Sequence, residues 1–204
     1  MAGSRDCRNG GGPLKTRKEI EALSRQLEVL LPADASKVAF LCIGTDRSTG
    51  DSLGPLVGRY LKRRGVPNVI GTLHDPCHAV NLQECLDSLH GKFVIAIDSC
   101  LGRSESIGRI DIKEGPLQPG AGVNKELPAA GDVHIKGIVN EGGYMGFFVL
   151  QSTRLALVDD MATAIGRAIC LALKRKRISA LTEVASGIEG RQASEQSNRS
   201  TRSH

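Results

Sequence analysis

The sequence predicts an α/β domain, a mostly parallel sheet flanked by helices, and three observations carry that reading. Short apolar runs at Val38 to Ile43, Val69 to Leu73 and Phe93 to Ile97 have the length and borders of buried strands. Amphipathic stretches of helical period lie between them. Each run closes on a turn rich in polar or charged side chains. Strands that alternate with helices pair in parallel through right-handed crossovers, so helices come to cover both faces of the sheet.

Thr16 and Glu19 form a capping box ahead of Ile20, Leu23, Leu27, Leu30 and Leu31, which predicts a first helix packed on the sheet. After the first strand, Gly54-Pro55 opens a second helix carrying Leu56, Val57, Tyr60 and Leu61. The second strand, Val69 to Leu73, leads through His74-Asp75-Pro76-Cys77-His78 into a helix with Val80, Leu82, Cys85, Leu86 and Leu89. The third strand ends at Asp98. Ile110 to Ile112 and Val133 to Val139 read as further strands, separated by a proline- and glycine-rich stretch from Glu114 to Asp132 that is a candidate flap. A final helix from about Ser152 shows the stripe Leu155, Val158, Met161, Ala162, Ile165, Ile169 and Leu173. Residues 1–14 and 178–204 lack a sustained apolar period and read as flexible tails, leaving 15–177 as one domain.

Composition narrows the function classes. Aromatic residues make up 3% of the 204 and tryptophan is absent, which argues against stacking platforms for single-stranded nucleic acid. The net charge of +5 sits in the terminal segments, +3 over residues 1–19 and +4 over 174–204, so the middle is slightly acidic. A nucleic-acid partner is not expected. Lys174-Arg175-Lys176-Arg177 reads as a solvated helix end favoured by the helix dipole. No apolar run approaches membrane-spanning length and no signal-peptide core opens the chain, so neither a membrane partner nor export is expected. Six cysteines without a CxxC pair read as reduced thiols of a cytoplasmic protein.

The chemistry concentrates at one edge. In open α/β sheets ligands bind beyond the carboxyl ends of the strands, where the winding direction reverses. The loop Gly44-Thr45-Asp46-Arg47-Ser48-Thr49-Gly50-Asp51-Ser52-Leu53-Gly54-Pro55 follows strand one, and Asp98 follows strand three. With strand order 2-1-3 these neighbours bring Asp51 and Asp98 into one crevice. Two carboxylates there share a proton and activate water, or bind a divalent cation; a turn or helix-capping role for either aspartate is the plain alternative. The loop is no phosphate cradle, since it has neither GxGxxG nor GK[ST] and its acids repel phosphate. Cys77, Cys100, His74 and His78 lack nucleophile or ligand spacing and read as structural.

The loop from Gly44 to Pro55, the strand end Ile95-Ala96-Ile97-Asp98, and the stretches Gly137 to Met145 and Phe148 to Leu155 closely resemble the YyaC family of proposed sporulation proteins. The resemblance spans roughly residues 36–172. That family looks like a compact relative of the spore germination protease and, more remotely, of the hydrogenase maturation endopeptidases. The resemblance implies a phosphorylase/hydrolase-like three-layer α/β/α fold and peptide-bond hydrolysis in the cytoplasm of a spore-forming bacterium. By likeness to the Asp-x-Leu-Gly-Pro loop and Ile-Asp strand end of the germination protease, Asp51 and Asp98 would be the catalytic pair. Asp46 and Arg47 would support the loop or hold substrate. No cofactor is implied by the germination protease; the hydrogenase relatives place metal-binding acids at the same two positions, with His134 the candidate third ligand here. The implied partner is a peptide or small spore protein, and a homo-oligomer is compatible. Two rival readings are a non-catalytic sporulation binding protein that keeps the fold, and a metal-binding maturation factor.

Overall fold

The computed structural model describes residues 16–120 and 127–200, with side chains to residue 182. The expected tail at 1–14 and the tip of the candidate flap lie outside the described residues, apart from the flap's flanks. Helix α1 spans Arg17–Leu30 and starts at the expected capping box, in which Thr16 Oγ1 accepts from the Glu19 N–H and Glu19 reaches back to the Thr16 N–H at 2.8 Å. Strand β1 (Val38–Cys42) leads through a short 3-10 turn, Gly50–Ser52, into α2 (Leu53–Arg63). Then follow β2 (Val69–Ile70), α3 (Leu82–Asp87), β3 (Phe93–Gly102), β4 (Ile110–Glu114), β5 (Val133–Glu141), α4 (Gly146–Gln151) and α5 (Leu155–Ser200).

The sheet order is β2-β1-β3-β5-β4, with β4 alone antiparallel. The expected 2-1-3 start is present. Alternation divides each central strand between two cores. Phe40, Ile95, Ile97 and Ile135 pack against α1, α2 and α5, while Leu41, Val94 and Ala96 pack beneath Leu82 and Leu89 of the α3 segment. Leu117 and Ala130, paired across the base of the 114–132 stretch, complete the second core. The result is three layers, helices on both faces of the sheet.

Four expectations are corrected. Asp98 does not close β3, which continues to Gly102 because β5 pairs with it as far as Glu141 across a bulge at Cys100/Leu101. The second strand holds two residues instead of five, since the chain turns at Gly71 with φ 85°. Val80 lies ahead of α3, exposed, where the sequence places it on the helix. The flexible tail expected from 178 begins instead as helix, because α5 runs on to Ser200 past the end of its buried stripe.

Candidate functional site

The loop after β1 is drawn tightly onto the strand end. A Cβ at Gly54 would collide with the backbone of Ile43, and Gly44, at φ 138°, lies against the Asp51 carbonyl. Only glycine permits this approach, which fixes the 3-10 turn carrying Asp51 against the tip of the sheet. Thr45 N–H donates to the Asp51 carbonyl at 3.2 Å and closes the loop. Behind the turn, a Cβ at Gly50 would meet Leu150 and Thr153, so the α4–α5 junction packs directly on it. Asn140, at the end of β5, secures that junction by donating to the Val149 carbonyl and Thr153 Oγ1, each at 3.1 Å.

Asp98 lies on the α3 face of β3, in line with Val94 and Ala96, while Asp51 approaches from the α2 side. Ser99 connects the two acids across the strand. Its backbone N–H donates to Asp98 Oδ1 at 2.8 Å, and its hydroxyl donates to Asp51 Oδ1 at 3.4 Å. Asp98 is 9% exposed, and burial, followed by the negative charge of Asp51, pushes its carboxyl from an ordinary 3.8 up to about 7. The Ser99 N–H and the Lys136 ammonium pull the other way. The carboxyl therefore exchanges its proton near neutrality, as an acid–base catalyst requires.

Lys136 is the residue that sequence reading passes over. It stands in register with Asp98 on β3 and with Asp111 on β4, and its charge is near enough to pull the Asp98 carboxyl down. Arg109 extends the alternation, its Nη2 donating to Asp111 Oδ2 at 2.9 Å. The signal in the sequence is a lysine inside the apolar run Val133 to Val139, but only register reveals what it faces. Ser99 carries no such signal. Cys100 shares the Asp98 face, and burial pushes its thiol up, away from thiolate chemistry.

The remaining candidates are apart from this centre. Asp46 and Arg47 are exposed, and among the described residues Arg47 makes no ion pair; its N–H donates to Thr45 Oγ1 at 3.3 Å. His134 is buried beside Ala96 and its Nδ1 is bonded to the Gly115 carbonyl at 2.8 Å, which ties the flap base to β5. Among the described residues no three His, Cys, Asp or Glu side chains gather closely enough to hold an ion, so Asp51, Asp98 and His134 do not form one ligand set. His78, on the loop after β2, has a buried Nδ1 without a partner.

Fold and site together define a three-layer α/β protein in which Asp51 and Asp98 neighbour one another at the switch point of its sheet. The chain belongs to the family described as "Protein of unknown function (DUF1256)", whose model matches residues 14–168. It is 50% identical over 161 residues, 74% of this chain and 78% of the relative, to the "Uncharacterized protein YyaC" of Bacillus subtilis (strain 168). Among solved structures it is similar to the NiFe hydrogenase maturation protease HycI from Thermococcus kodakarensis KOD1, with a TM-score of 0.47, 18% identity, and 67% of this chain and 92% of that one covered. The maturation protease HybD from Thermococcus kodakarensis follows, with a TM-score of 0.42, 16% identity, and 66% and 98% covered.

Proposed function

We propose that this protein is an endopeptidase of the spore germination protease type, acting on a small spore protein during sporulation or germination. The observation that supports this most is the Asp98 carboxyl, held near its titration point beside the charge of Asp51 at the sheet's switch point. That the 50% identical relative comes from Bacillus subtilis, a spore-forming bacterium, supports a sporulation context.

In the reaction, Asp51 takes a proton from a water molecule as its oxygen bonds to the scissile carbonyl carbon. Protonated Asp98 gives its proton to the departing amide nitrogen as the C–N bond breaks. Proton exchange between the two carboxyls through solvent restores the starting state. Lys136 offsets part of the negative charge that accumulates. Tyr144, Phe147 and Phe148, exposed on and before α4 beside the Asp51 turn, offer an apolar shelf for the polypeptide flanking the bond.

The test is to incubate the purified protein with small acid-soluble spore proteins beside an Asp98→Asn control, and to search for discrete fragments by mass spectrometry. Fragments made by the wild type alone support the reading. None, with both proteins folded, overturns it in favour of a binding protein.

A further inference from the structure

We propose that a groove at the opposite end of the molecule docks an acidic, amphipathic helical segment of a partner protein. The groove has a volume of about 880 Å³ and lies where the overhanging part of α5 passes the entrance to β1 and the exit of α2. Its floor is apolar, made by the half-buried Val66, Cys170 and Leu173 beside the exposed Ile178 and Leu181. Ile178 is 53% and Leu181 71% exposed, which leaves apolar surface that no described residue covers.

The rim specifies the charge of the occupant. Arg64, Lys174, Lys176 and Arg177 surround the opening, and none of them is in an ion pair among the described residues. Arg64 lies over the Tyr60 ring, 5.0 Å from its centroid. Arg175, one position away on α5, shows what an engaged cation looks like here: it binds Glu21, Glu28 and Ser24 of α1. Thus one side of α5 has its counter-charges on α1, while the groove side has none among the described residues. Asp34, the one acid among the lining residues, is occupied by Ser36 at 2.6 and 3.0 Å.

Shape decides between occupants. A flat bilayer or a nucleic-acid backbone would meet the basic rim but leave the concave apolar floor uncovered. A helix carrying leucine-like residues on one face and glutamates at its margins covers both. The stretch of α5 from Leu173 to Leu181 is about 12 Å long, matching two to three turns of such a helix.

The experiment uses the full chain and a fluorescent amphipathic peptide of about four turns with leucines on one face and glutamates on the other. Anisotropy should report saturable binding that weakens with added salt. Lys176→Glu with Arg177→Glu, or Leu181→Asp, should each weaken it by about tenfold, equal to about 1.4 kcal/mol. These side chains are on the groove rim or exposed, and a matching Tm checks that the fold is intact. Equal binding of a peptide with lysines replacing the glutamates overturns the proposal on the wild type alone. So does sedimentation with phosphatidylserine vesicles, or binding to duplex RNA, in the absence of binding to the glutamate peptide. The result is independent of spore-protein cleavage.

Discussion

Replacing Asp98 by asparagine should stabilise this protein at neutral pH while removing the proposed activity. In the folded chain burial and the Asp51 charge push the Asp98 carboxyl up to about 7, from 3.8. Unfolded, the same carboxyl gives up its proton near pH 4, so between about pH 4 and 7 the folded state binds more protons. The stability contributed by the protonated carboxyl is therefore complete below about pH 4 and is lost as pH rises through 7. At about 1.4 kcal/mol per pH unit the loss reaches roughly 4 kcal/mol by pH 8. For a domain of this size that is a Tm difference of roughly 10 °C. Asparagine carries no charge to desolvate and keeps an oxygen for the Ser99 N–H, so its stability should stay nearly level across the same range. Urea unfolding followed by circular dichroism at about pH 4.5 and 7.5 measures both proteins before free thiols titrate. Asp51→Asn, which removes the second cause of the displacement, should show an intermediate slope. A wild-type curve that is flat over this range, or an Asp98→Asn protein less stable than wild type at neutral pH, would refute the argument.

Three further outcomes can be checked. Lys136→Met removes a cation that favours the Asp98 carboxylate, so carboxyl-detected NMR should show Asp98 titrating at higher pH than in the wild type; an unchanged titration would separate Lys136 from the site. Gly54→Ala drives a Cβ into the Ile43 backbone and should cost about 3 kcal/mol or more, seen as a lowered urea midpoint. Arg175→Ala frees Glu21, Glu28 and Ser24 on α1 together and should cost about 1 to 3 kcal/mol, read as a fall in Tm that added salt reduces.

The layering and the central place of β1 and β3 were readable because Val38 to Ile43 and Phe93 to Ile97 are apolar on both faces, the mark of central parallel strands. The end of β3 was not. A charge inside a buried ladder is costly, so Asp98 reads as a terminus; the chain instead accepts the cost by keeping its proton and by placing Lys136 across from it. Asp51 was legible from its glycine-bounded loop. Ser99 and Lys136 were not, since both depend on register, which one sequence does not carry. The extent of α5 was hidden for another reason: the apolar stripe stops where the domain stops, while the helix goes on.

The continuation of β3 past Asp98 bears on how the proposed activity could acquire new substrates. An acid inside a hydrogen-bonded ladder, braced by β5 on one side and by the Asp51 turn on the other, is a stationary anvil. It cannot follow a differently shaped target. Under the proposed activity, a substrate would be bent into place by the Tyr144 to Phe148 segment beside the Asp51 turn, and that is where relatives with other substrates should differ.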